Sequence, residues 1–221
     1  VNIMLIKTYG SAIQGIDAIT ITVEVNVDQG INFHLVGLPD SAVKESQQRI
    51  VAALKNNGFK MPGKKITVNM APANIRKEGS SYDLTIAIGI LAASGQIVSS
   101  KLDSYILMGE LSLDGGLQPI KGALPFAIEA AKNGFKGFIL PIQNAEEASI
   151  VSSIEVYGVS NIKEVISFLE GKSDLQPFVG NTSESFQNQL NSYEFDFSDV
   201  KGQENIKRAL EIAAAGGHNL I

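Results

Sequence analysis

Cysteine is absent from the 221 residues, and histidine occurs twice, at His34 and His218. Without thiols, the chain can form no disulfide, no thiolate nucleophile and no cysteine-based zinc site. Neither histidine has a second histidine or a carboxylate at metal-ligand spacing, so both read as structural or surface residues and no metal site is expected. Also lacking is any apolar run close to the roughly 20 residues that a membrane-spanning helix needs, and the N-terminus has no charged-then-apolar secretory pattern. The expectation is a cytoplasmic chain with no membrane partner. Positive charge is in deficit, with a formal net charge of -5, whereas a nucleic-acid clamp needs a local excess of Lys and Arg. Such a bias is confined to 55–77, where Lys55, Lys60, Lys64, Lys65, Arg76 and Lys77 lie. A solvated face is the expectation there, with contact to DNA as the alternative.

What is present is a folding composition, 44% hydrophobic and 19% charged. It suffices for one sizeable domain plus a fragment, or for two small domains. Ile19, Ile21, Val23, Val25 and Val27 alternate with Thr20, Thr22, Glu24 and Asn26, the period of a half-buried strand. A shorter strand is expected over Ile31 to Val36, forming a hairpin with the first around Asp28, Gln29 and Gly30. Asp40 or Ser41 caps a helix with Val43, Gln47, Ile50 and Leu54 on one stripe, closed by Gly58. KKITVNMAP is a strand stopped by Pro72, and LTIAIGILAASG, apolar on nearly every side, is a buried helix. Asp114, Gly115 and Gly116 turn a second hairpin. A helix from about Ala123 to Asn133, the strand FKGFILP, a helix near Asn144 to Ile150, the strand SIEVYGV and a helix from Asn161 to Leu169 follow. The fold class is α+β, a sandwich of sheet and helices.

Past Gly171 the chain turns polar. GKSDLQPFVGNTSESFQNQLNSYEFD is rich in Ser, Asn, Gln and acidic residues, the composition of a linker. A helix from about Gln203 to Ala215 then ends at Gly216 and Gly217, and HNLI begins a buried strand. A helix and half a strand cannot bury their own apolar faces, so the chain reads as a piece of something longer. The expected division is a domain at 1–171, a linker at 172–194 and a partial second domain at 195–221. Met4, after three other residues, is a candidate natural start.

The stretch KEGSSYDL, Lys77 to Leu84, offers the clearest chemistry. Ser80, with Asp83 three residues later, fits a capping box in which hydroxyl and carboxylate satisfy two amides of the first helical turn. A serine at a helix start also sits where free amides could stabilise an oxyanion. As a nucleophile it would need a lysine or histidine to take its proton.

KEGSSYDLTIAIGILAASG followed by MGELSLDGGLQPIKGALPFAIEAAKNGFKGFILP resembles the proteolytic domain of Lon proteases. The resemblance places the nucleophile at Ser81 and the family's lysine at Leu124, so the base is missing; Tyr82 and Asp83 also stand where that family has a small residue and glycine. Lys121, three residues before Leu124, is the remaining candidate base, more readily explained as an exposed turn residue. The resemblance therefore implies an inactive scaffold of the Lon-like, ribosomal protein S5 domain 2-like type.

Further blocks, VGLPDSAVKESQQRIVAALKNNGF, ITVNMAPANIRKEGSSYDLTIAIGILAASGQI, GELSLDGGLQPIKGALP and DVKGQENIKRALEIAAAGGHNLI, resemble the magnesium-chelatase-like AAA+ ATPases of the YifB and ComM type. That family carries a Lon-like domain ahead of an AAA+ motor, and its ComM type is associated with DNA branch migration. The resemblance implies a homo-hexamer assembled through the motor, with ATP and Mg as cofactors and DNA as partner of the full-length protein. It also matches Asp199, Val200, Gly202 and Gln203 to a nucleotide base pocket. The phosphate-cradling pattern G-x-x-x-x-G-K-[ST] is missing from these residues, so this chain by itself is expected to bind no cofactor. Three functions stay open at this point: an accessory domain of such a motor, a serine peptidase using Ser81 with Lys121, and a stand-alone binding module.

Overall fold

The computed structural model describes residues 5–180 and 197–217. Two compact units divide the chain, Val1–Gly180 and Asn181–Ile221. In the first, β1 (Ile6–Gln14) and β2 (Asp17–Asp28) form a long antiparallel hairpin, in register from Ile6 opposite Val25 to Gln14 opposite Asp17. After β3 (Phe33–Val36), α1 (Ser41–Asn56) starts on Asp40, whose Oδ1 accepts the Val43 amide at 2.8 Å. There follow β4 (Lys65–Ala71), α2 (Asp83–Ala93), β5 (Tyr105–Leu107) and a small separate hairpin of β6 (Glu110–Leu111) and β7 (Leu117–Gln118). The unit is completed by α3 (Ala123–Lys132), β8 (Gly137–Pro141), α4 (Ile142–Ser149), β9 (Glu155–Val159) and α5 (Ile162–Leu169).

The main sheet runs β3-β4-β2-β1-β5-β8-β9. Its β1–β2 and β2–β4 pairings are antiparallel and the others parallel, so the sheet is mixed and mostly parallel. Residues 31–36 do not form the expected hairpin with β2. Instead β4 lies beside β2, and β3 joins β4 in parallel at the outer edge. Burial explains the difference: Ile66, Val68 and Met70 of β4 are buried, whereas no residue of β3 is. The strand with the greater apolar surface takes the inner place, where removing that surface from water is worth about 25 cal/mol per Å².

Alternation along the hairpin gives the sheet two different faces. Ile21, Val23 and Val25 face α2, which is buried on every side as its composition requires. The helix comes close because of Gly89: a Cβ there would lie 2.6 Å from Val25 Cγ2. Thr20 points to the opposite face, where it accepts a hydrogen bond from Asn133 at the end of α3. Helices thus cover both faces of the hairpin. Residues 172–180 stay with this unit: the Phe178 amide donates to Val156 O at 2.6 Å, and Leu175 and Phe178 pack on the core.

In the second unit, a 3-10 turn (Phe197–Asp199) precedes α6 (Glu204–Gly216). Met4, most of the polar linker and the expected strand at 218–221, with His218, lie outside the described residues. Among the described residues, no helix is long and apolar enough to cross a membrane.

Candidate functional site

Where α2 begins, the chain places a buried acid and an open serine two positions apart. Asp83 is fully buried and receives two bonds from Arg49 of α1, Nε to Oδ2 at 2.6 Å and Nη2 to Oδ1 at 3.0 Å. The Leu111 amide adds a third, at 3.2 Å. Burial pushes the Asp83 carboxyl up to about 6, against the pull of the Arg49 guanidinium. The expected capping box is therefore not formed. The residue preceding α2 is Tyr82, which makes no side-chain cap. A carboxylate stripped of water gains far more from a bidentate guanidinium than from one amide, so Asp83 turns to Arg49. Ser80 Oγ donates to Glu110.

The basic stretch also needs correction at one residue. Lys55, Lys60, Lys64, Lys65 and Arg76 are exposed, as a solvated face requires, but Lys77 is 0% exposed. Its Nζ donates to Gly37 O at 2.8 Å and to Pro72 O, and burial holds the ammonium below the usual lysine value. Backbone bonds fasten the same place: Asp40 N to Lys77 O at 3.0 Å and Lys77 N to Leu38 O at 3.2 Å. Gly37 has φ +103, and a Cβ there would strike Met70 O at 2.1 Å, so the strands and this loop meet too closely for any side chain. Lys77 thus clamps the loop that carries Ser80 and Ser81.

That loop forms one wall of a groove of about 730 Å³. Ser11 to Gln14 of β1 form a second wall, and Pro119, Ile120 and Lys121 a third. Asn144 holds the third wall in place: its Oδ1 accepts the Ile120 amide and its Nδ2 donates to Ile120 O, each at 2.8 Å. Ser81 is half-buried, and its carbonyl accepts the Gly109 amide at 2.7 Å. Among the described residues its Oγ has no hydrogen-bond partner, and Lys121, exposed, has neither ion pair nor hydrogen bond. Leu124 lies in the first turn of α3, where its amide donates to Glu147 at 3.0 Å. Tyr82 is buried, which pushes its phenol well above the usual value and keeps it neutral.

The structure therefore brings Ser81 and Lys121 to one groove but joins them by no bond. An attacking hydroxyl needs a base within about 2.6–3.2 Å, and Ser81 has none. Two groove residues carry no signal in the sequence. Glu110 meets Ser80 across a separation of 30 residues, and Ser11, of β1, is fully buried with its Oγ unpartnered. In the second unit, Asp199, Val200, Gly202 and Gln203 lie exposed from the end of the 3-10 turn to the start of α6. Gln203 takes φ +60 and makes no side-chain cap. Among the described residues of this unit, one turn and one helix are all that accompany them. Among the described residues no cluster of His, Asp and Glu fits a metal ion.

Comparison with known proteins adds the family. The model for subunit ChlI of Mg-chelatase matches residues 23–144, which include α1, α2 and most of the groove, and a second magnesium-chelatase ChlI model matches residues 196–221. Competence protein ComM of Haemophilus influenzae is 44% identical over 214 residues, covering 96% of this chain and 42% of that protein. The Escherichia coli protein YifB is 44% identical over 208 residues, 94% of this chain and 40% of its own length. More distantly, Lon protease 2 of Bacillus subtilis is 30% identical over 128 residues, 57% of this chain and 22% of the protease. The chain spans about two fifths of the length of its ComM and YifB relatives.

Proposed function

The chain belongs to the family of subunit ChlI of Mg-chelatase, and from that premise we propose that its first unit is a non-catalytic, Lon-like accessory domain of a longer AAA+ ATPase. The observation that carries this reading is the groove itself. It keeps a serine where the Lon resemblance puts a nucleophile, yet Ser81 Oγ has no base bonded to it and Leu124 stands at the position of the lysine. The second unit, with its match at 196–221, would be the opening of the motor. The whole protein would bind ATP and Mg through residues beyond this chain, assemble as a cytoplasmic homo-hexamer through the motor, and act on DNA by branch migration. The resemblance to the ComM type and the relative named as a competence protein support the DNA assignment. Asp199, Val200, Gly202 and Gln203 would contribute to the base pocket only in that longer protein.

A test compares this chain with the longer protein that continues through the motor. DNA-stimulated ATP hydrolysis is expected from the longer protein and not from the chain alone; a properly assembled longer protein without such hydrolysis would sink the proposal.

One observation favours a second reading, serine peptidase: Ser81 and Lys121 line the same groove. It requires a bond from Lys121 to Ser81 that the structure does not contain. Digestion of an unfolded protein, abolished by Ser81→Ala, would establish it.

A further inference from the structure

The second edge of β1 points to a ligand. Along one side β1 is fully paired with β2, but along the other it meets β5 in register only at Tyr9 opposite Ile106. On that side the Ser11 amide faces Met108 Sδ at 3.2 Å, a weak acceptor in place of a carbonyl. In a strand, backbone groups two residues apart point the same way. The Ile13 N–H and C=O therefore face away from β2, toward the groove, and no described residue pairs with them. An edge with unpaired amide and carbonyl groups is a template for another extended chain.

Two side chains add to this edge. Ser81 Oγ is half-buried and unpaired among the described residues. Among the charged residues of the groove, Glu78 pairs with Arg76 at 3.3 Å and Glu110 accepts from the neutral Ser80 hydroxyl, while Lys121 has no carboxylate bonded to it. The aromatic rings at the groove, Tyr82 and Phe126, are 2% and 3% exposed, leaving no face on which a nucleic-acid base could stack.

We propose that the groove binds an extended segment of a partner polypeptide, which adds to the β1 edge at Ile13 and sets an Asp or Glu side chain against Lys121. The proposal concerns binding alone and rests on the non-catalytic reading only in that the segment is held and not cut.

Selection of random twelve-residue peptides displayed on phage against the whole chain tests it, with the selected peptides resynthesised with blocked ends. The expected peptides share an acidic residue and lose roughly tenfold in affinity, the worth of about one net hydrogen bond, when alternate backbone nitrogens are N-methylated. Lys121→Glu weakens the same peptides, and Ile13→Pro does so by removing an outward amide at an edge where proline is tolerated. The N-methylated peptides leave the protein unaltered, so they decide the matter if Ile13→Pro fails to fold. No selected peptide, N-methylated peptides that bind undiminished, or binding indifferent to Lys121→Glu would each overturn the proposal. Cleavage of a bound peptide that depends on Ser81 would sink the non-catalytic reading and leave the binding site standing.

Discussion

Asp83 and Ser81 stand on either side of Tyr82, and their surroundings could hardly differ more. On the inner side the charged groups are met: Asp83 by Arg49 and the Leu111 amide, Lys77 by two carbonyls, Asp40 by the amides of Val43 and Gly79, while the neutral Ser46 Oγ of α1 and Asn26 Oδ1 of β2 are buried without a partner. On the groove side the half-buried Ser81 Oγ and the exposed Lys121 Nζ have no described partner. A charge taken out of water is costly unless it is paired, whereas groups that solvent reaches need no partner from the fold. The difference teaches that the inner charges build the scaffold and the groove groups are left open to contacts from outside.

Breaking the inner set should produce the largest effect. Asp83→Ala removes the bidentate carboxylate from Arg49 and leaves its guanidinium with the Ala42 carbonyl, and a loss of about 3–5 kcal/mol is expected from urea unfolding at neutral pH. The same carboxyl gives a pH test. Its native value of about 6 lies above the ordinary value of 3.8, so the native state holds the proton after the unfolded chain has released it. Its contribution to stability is therefore fully present below about pH 4 and lost as pH rises through about 6. Relative to Asp83→Asn, the wild-type chain should lose stability across that window, by at most about 3 kcal/mol. A rising difference would contradict the assignment.

Asn144→Ala comes next. It frees both the amide and the carbonyl of Ile120, and a loss of about 1–3 kcal/mol is expected, together with weaker holding of the Pro119 to Lys121 wall, read as faster amide exchange there. Ser81→Ala should be smallest, within about 0.5 kcal/mol of wild type, because no internal bond is lost. A larger loss would move Ser81 from the groove set to the scaffold set.

Much of this comparison is invisible in the sequence, for a physical reason. Local periodicity reports what one element buries, so β2, the all-buried α2, the hairpin at Asp114 to Gly116 and the Asp40 cap are all legible. It does not report which strand is neighbour to which, and β3 was accordingly expected beside β2 when the better-buried β4 takes that place. Partners brought together over long separations leave no trace either: Arg49 with Asp83, Lys77 with Gly37, Ser80 with Glu110. The Ser80 and Asp83 spacing has the form of a capping box, yet both side chains are claimed by distant groups. Ser81 and Lys121 were legible through the Lon resemblance, whereas Ser11 and the free edge of β1 require the sheet order.

The central claim is that the groove holds and does not cut. The direct measurement is release of fluorescent fragments from labelled casein incubated with the chain and with Ser81→Ala at equal concentration. The account predicts no release above background from either, and release by the wild-type chain that Ser81→Ala abolishes would contradict it.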